Sequence, residues 1–320
     1  MAILKRNKSM PLRAGRPPLS SASGGRSESN LPLKNTVNAR RKSSKATRKL
    51  INTHHQLHKA RAAALDSKDH HLVARIDNQI EQLGGLEAYQ QASLTGQDKD
   101  RGGDSSEKLV EWLRKYDLLG PAKRRDALRV LEVGALSSRN AISGVLSRGV
   151  GEIRRVDLHS QEPELIEEID FMDFPVPEIE AEKYDIISLS LVLNYVPDAA
   201  GRGEMLRRTT KFLRSIQQEI ESVKDNSNET RHPALPCLFL VLPLPCLNNS
   251  RYTTHNHLTT IMQHLGYEEI EHHNSTKLSY MLFKWYGDDM TKNDTPIAFK
   301  KSEINPGKTR NNFSIVLEAG

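Results

Sequence analysis

Glu132 and Gly134 close a short apolar run, residues 128–136, and a second apolar run ends at Asp157. A glycine in a strand-to-helix turn lets backbone approach a ligand, and a carboxylate ending the next strand can accept from both hydroxyls of a ribose. Together they are the chemistry of a nucleoside pocket. Glu132 has two available roles, holding the loop or meeting a ligand ammonium group. The loop continues Ala135-Leu136-Ser137 with no second glycine. A pyrophosphate cradle uses backbone approach at several points, so the spacing points away from a dinucleotide and toward a ligand without phosphates.

Three further groups follow in order. Asp170 and Phe171, with Asp173 behind them, end a third apolar stretch. There a carboxylate can accept from an adenine amino group while Phe171 lines the ring, the alternative being that these aspartates cap the next turn. Asn194 and Tyr195 leave a fourth strand and suit hydrogen bonding and stacking at a base pocket, unless Leu191, Val192 and Leu193 simply pack the turn under Tyr195. Asn248, in the block from Pro243 to Tyr252, leaves a fifth strand with Asn, Arg and Tyr side chains.

The elements that must carry these residues alternate. Strands are expected at 128–133, 153–158, 166–170, 184–190 and 237–242, with helices near 138–147 and 201–222 between them. That alternation implies a parallel, doubly wound α/β sheet. A helix is expected near 253–265, and the apolar runs 278–284 and 312–318 are expected to form an antiparallel pair. Before the sheet, residues 43–83 carry a helical pattern with Leu72, Ile76, Ile80 and Leu83 on one face and Gly84-Gly85 as the stop. Residues 86–92 are expected to add a short helix. Asp104 or Ser105 caps another, with Leu109, Val110, Leu113 and Tyr116 facing inward. The domain expectation is therefore a disordered basic tail over 1–42, a helical subdomain over 43–120 and the sheet domain over 121–320, with 221–233 as a surface insertion.

The net charge of +6 divides unevenly. Residues 1–61 hold fifteen Lys and Arg against Glu28 alone, so the remainder is net acidic. Such a tail suits phosphate binding or, through Arg40-Arg41-Lys42, nuclear import. Cys237 and Cys246, the two cysteines, are not spaced as metal ligands or as a disulfide framework. The histidines at 54, 55, 58, 70 and 71 are expected on a polar helix face, and His272 and His273 are expected to point apart on a strand. No metal site is expected, and no membrane span. The spacings of serine hydrolases, P-loop enzymes and zinc proteases do not occur.

The blocks LRVLEVGALSSRNAIS, RVDLHS, IDFMDFP, YDIISLSLVLNYVPDAAGRGEML and LFLVLPLPCLNNSRY resemble the fungal base methyltransferase family acting on 25S ribosomal RNA. The resemblance spans roughly residues 50–320 and implies a class I S-adenosylmethionine (SAM)-dependent methyltransferase fold, Rossmann-like, that methylates N1 of an adenine. It implies Gly134 and Asp157 as SAM contacts, with Asp170 and Phe171 flanking the adenine, and assigns no catalytic acid or base. The implied partner is ribosomal RNA in a pre-60S particle, and the implied location the nucleus and nucleolus. Animal relatives of the family act as SAM-responsive regulators, so a non-catalytic SAM sensor working through a protein partner is the competing reading.

Overall fold

The computed structural model describes residues 44–85, 87, 88, 92, 104–119, 127–146, 148–160, 162–215, 234–287 and 298–318. The basic tail, most of 86–92 and the insertion at 221–233 lie outside the described residues.

Two helices, α1 (Ser44–Asp66) and α2 (His70–Gln82), open the described chain. The helical pattern breaks at Asp69 because its carboxylate caps α2, accepting from Leu72 N at 2.9 Å. α2 ends on Leu83, followed by Gly84 at φ +94°. Arg61 and Asp77 pair across the hairpin at 2.6 Å. His54 is buried rather than on a polar face, because α2 covers that side of α1 along with Ala64 and Ile76.

The sheet has seven strands in the order β3-β2-β1-β4-β5-β7-β6. β1 (Leu128–Val133) is parallel to β2 (Val150–Asp157) and to β4 (Ile186–Ser190), and β4 is parallel to β5 (Cys237–Pro243). β3 is only Glu167–Glu168. β7 (Leu278–Trp285) runs antiparallel between β5 and β6 (Tyr267–Asn274). This is the class I SAM-dependent methyltransferase arrangement that the resemblance implies, with an N-terminal helical extension.

Period-two alternation feeds two cores. Leu131, Val133, Leu238, Leu240, Leu242, Met281 and Phe283 face one side, covered by α4 (Ala199–Phe212) and α6 (His255–His264). Leu128, Val130, Phe239, Val241 and Leu282 face the other, covered by α3 (Ser106–Lys115) through Leu109, Trp112 and Leu113. Trp112 meets the Phe239 ring edge-on at 5.8 Å.

Three expectations are corrected. The partner of the strand at 278–285 is not 312–318 but the segment 267–274, whose sequence YEEIEHHN shows no apolar alternation because it is the sheet's edge strand. Residues 312–318 instead run extended, with one bridge from Leu317 to Phe299. The helix near 138–147 is a 3-10 turn, Ala141–Val145. There Ser143 Oγ donates to Ser138 O and Asn140 Oδ1, so side chains compete for the loop's polar groups. The first helix of the range expected at 201–222 ends at Phe212, after which Arg214 N donates to Tyr184 O, and residues 216–222 lie outside the described residues.

Candidate active site

Gly134 leaves β1 at φ +78°, and a Cβ there would lie 2.2 Å from Val192 Cγ2. Both facts require glycine: the left-handed backbone, and the close approach of the loop that leaves β4. Gly134 N donates to Val156 O at 2.8 Å, which ties the turn to the end of β2. The turn opens on a cleft lined by Asp104, Ser105, Glu132, Val133, Gly134, Leu136, Ser137, Asn140 and Ser190.

Glu132 is buried on β1 at the floor of this cleft. Asn140 Nδ2 donates to its Oε1, and Arg155 Nε lies 3.3 Å from its Oε2. Arg155 in turn donates to Ser143 Oγ at 2.6 Å, so the carboxylate fastens the loop from inside. Burial pushes the Glu132 carboxyl up to about 7, the Asp104 charge pushes the same way, and Arg155 and Asn140 oppose it. Of the two roles read from the sequence, holding the loop is present in the structure.

Asp104, not Ser105, supplies the cap of α3. Its carboxylate accepts from Ser106 N at 2.9 Å and from Ala141 N, and Ser106 Oγ accepts from Ile142 N at 3.1 Å. Ser105 Oγ lies 2.7 Å from Ser190 Oγ at the end of β4. The N-terminus of α3 thereby becomes one wall of the cleft. Sequence reasoning placed Asp104 as a cap but missed Asp104, Ser105, Ser137, Asn140 and Ser190 as lining residues. No spacing relates residue 104 to 132; only the packing of α3 on the sheet does.

Asp157 ends β2 beside this turn, and its Oδ1 accepts from His159 N at 2.9 Å. Leu158 follows it with 64% of its surface exposed. Asp170 Oδ1 accepts from Met172 N at 2.8 Å, the turn-capping alternative for these aspartates. Phe171 is 3% exposed and packs on Phe212 with ring centroids 5.2 Å apart. Arg208 Nε donates to its carbonyl at 2.8 Å. The Phe171 ring thus packs in the core beneath α4.

Beyond β4, Leu191 sits at φ +59°, an unusual conformation for leucine and a sign of local strain. Leu193 is fully buried, while Asn194 and Tyr195 are half-buried on the same turn. Asn194 Oδ1 is buried with no donor among the described residues. Asn248 ends α5 (Pro245–Asn248), exposed, at the carboxyl edge of the adjacent strand β5. The topology therefore brings all three residues to one sheet edge, on neighbouring loops.

An extended segment, residues 298–318, holds these two loops. Asn311 N donates to Asn249 O at 2.9 Å, Ser250 Oγ to Phe313 O at 2.5 Å, and Val316 N to Ala199 O at 2.8 Å. At Gly203 a Cβ would meet Val316 O at 1.9 Å, so the segment lies directly on α4. Arg202 is buried there, its guanidinium donating to Ser314 O at 2.7 Å and lying over the Phe313 ring.

Among the described residues one group has metal-ligand types, His255, Glu269 and His272, with ligand atoms within 4.8 Å of one another. His255 Nε2 instead bonds Glu269 Oε2 at 2.7 Å, and the two imidazoles stack at 4.1 Å and 11°. Parallel rings direct their lone pairs along parallel planes rather than at one point, so the geometry is that of a hydrogen-bonded pair with a stacked neighbour. Both cysteines are free thiols, and burial pushes Cys246 up to about 12. No helix among the described residues is long and apolar enough to cross a membrane.

The chain is 36% identical over 269 residues to the 25S rRNA (adenine(2142)-N(1))-methyltransferase of Saccharomyces cerevisiae, covering 82% of this chain and 70% of that protein. It is 34% identical to the 25S rRNA adenine-N(1) methyltransferase of Schizosaccharomyces pombe, covering 83% and 90%. Among solved structures, the CurJ carbon methyltransferase aligns at a TM-score of 0.41 and 14% identity, over 75% of this chain and 70% of that one. Residues 74–315 match the family described as 25S rRNA (adenine(2142)-N(1))-methyltransferase, Bmt2, and with two relatives above 30% identity the chain belongs to that family.

Proposed function

We propose that this chain transfers the methyl group of SAM to N1 of an adenine in large-subunit ribosomal RNA. One observation carries the reading: in a chain of this family, the Gly134 turn, Asp157 and the two loops bearing Asn194, Tyr195 and Asn248 leave one edge of one sheet. The residues fit the donor. Gly134 presents bare backbone, Asp157 can accept from ribose hydroxyls, and Leu158 offers an exposed apolar surface for the adenine face. Asp104 brings a carboxylate to the cleft wall, suited to an amino-acid ammonium group, while Glu132, faced by Arg155 and drawn up by burial, holds the loop beneath it.

SAM supplies a sulfonium-bound methyl group: the N1 lone pair bonds to the methyl carbon in line as the S–CH3 bond breaks, S-adenosylhomocysteine leaves with that electron pair, and the adenine becomes the N1-methyl cation. That lone pair exists at neutral pH, so no general base is required and orientation supplies most of the acceleration. N1 lies on the Watson–Crick edge, and the adenine must be unpaired or extruded. Asn194 supports a base pocket at this position, because the adenine amino group beside N1 would satisfy its orphaned Oδ1. Tyr195 and Asn248 complete that pocket. The finer reading is action on a pre-60S particle in the nucleolus, supported by the basic composition of residues 1–61.

The test is transfer of labelled methyl from SAM to ribosomal RNA lacking the modification, with the site mapped by reverse-transcription stops. Tyr195→Ala should lower methyl transfer at least tenfold while SAM affinity changes less than threefold. SAM binding without transfer by the wild type would favour the sensor instead. Equal loss of both functions in Tyr195→Ala would remove this residue from the base pocket.

A further inference from the structure

Among the described residues, several arginines sit against carboxylates. Arg61, Arg129, Arg154, Arg155, Arg207 and Arg214 each lie within 4.0 Å of an acidic oxygen. One patch differs. Lys300, Lys301, Lys308 and Arg310 lie on the extended C-terminal segment, Arg251 on the loop it crosses, and none of the five forms an ion pair among the described residues. Between residues 298 and 312 the only acid is Glu303. The chain beyond residue 61 is net acidic, so this concentration is local and not a reflection of overall charge.

The backbone keeps these cations together. Ser250 and Asn311 form a parallel bridge, and Ile304 N and Asn305 N both donate to Arg251 O, at 2.7 and 3.0 Å. Arg310 donates to Asn248 O at 3.4 Å, placing the patch against the loop that carries a base-pocket residue. The three lysines are exposed. Lys301 Nζ and the Arg251 guanidinium lie 4.5 and 5.7 Å from the ring centroid of Tyr252, an aromatic embedded in positive charge. Unpaired cations interleaved with an aromatic are the chemistry that follows a single-stranded nucleic-acid backbone.

We infer that Arg251, Tyr252, Lys300, Lys301, Lys308 and Arg310 form a track for the phosphates of the unpaired RNA strand flanking the target adenine. This rests on the methyltransferase reading for the identity of the strand. The track positions RNA; it takes no part in methyl transfer.

The test uses the full chain with Lys300, Lys301 and Lys308 all changed to Gln, and a companion with all three changed to Arg. Binding of a labelled 20-nucleotide single-stranded RNA is measured by anisotropy from 50 to 300 mM salt. Three lost phosphate contacts should weaken binding about tenfold at moderate salt and flatten the log–log salt slope by about 2. The Arg variant should bind as the wild type does. In methyl transfer, KM for RNA should rise with kcat within twofold and SAM affinity unchanged. An unchanged salt slope in the Gln variant overturns the track. So does equal loss in the Arg variant, since charge would then not be the cause. Failure of the wild type to methylate ribosomal RNA would count against the methyltransferase reading alone, because the salt slope is read without catalysis.

Discussion

At the scale of single residues, Gly134 is the most constrained position in the cleft. Its positive φ and the 2.2 Å approach of Val192 to a would-be Cβ act together. Gly134→Ala should therefore displace the loop after β4 and lower SAM affinity roughly tenfold, while Gly134→Arg should abolish binding. Titration calorimetry, with circular dichroism to verify folding, checks this; a folded Ala variant with wild-type affinity would take the turn out of the pocket. The placement of Gly134, Glu132 and Asp157 at a turn and at strand ends was legible because such positions have sequence signatures. Phe171 was not. A phenylalanine after a strand-end aspartate reads equally as a pocket wall or as core, and only the packing of Phe212 against it places it under α4.

At the scale of elements, α3 does more than its amphipathic pattern announces. Its inward face covers one side of the sheet, and its capped N-terminus reaches Ser190 and Ala141 to wall the cleft. Trp112→Ala should cost about 3–5 kcal/mol of stability, read from urea unfolding, because a buried aromatic is removed from a tight contact with Phe239. A loss below about 1 kcal/mol would mean that α3 is not firmly docked. The helix periodicity of α3, α4 and α6 was visible in sequence. β6 was not, because an edge strand with solvent on its flank needs no alternating apolar residues.

At the scale of the whole molecule, stability depends on pH through His255. Its bond to Glu269 raises its pKa above the ordinary 6.5, with burial opposing. A raised imidazole stabilises the fold fully below its unfolded pKa, and that contribution is lost as pH rises through the folded value. The stability difference between wild type and His255→Gln should therefore be largest near pH 6 and shrink toward pH 8. Urea titrations at pH 6, 7 and 8 test this, and a constant difference would show that the pair contributes no proton linkage. His272, stacked on His255, has its pKa lowered by burial and by the His255 charge, so the comparison must be by difference.

Local signals in the chain determined the alternation of strands and helices, the glycine turn, the acidic strand ends and the split between a basic beginning and an acidic remainder. Each depends on neighbours within a few residues, through period, backbone freedom or formal charge. Tertiary structure alone decided which distant segments share an edge. It set α3 against the β1 turn, inserted β7 antiparallel between β5 and β6, and laid residues 298–318 across the two loops that leave β4 and β5. The contacts of α3 with the end of β4 and of residues 298–318 with those two loops join residues separated by sixty to more than a hundred positions. They are set by burial and hydrogen-bond satisfaction summed over the whole core, which no local pattern records.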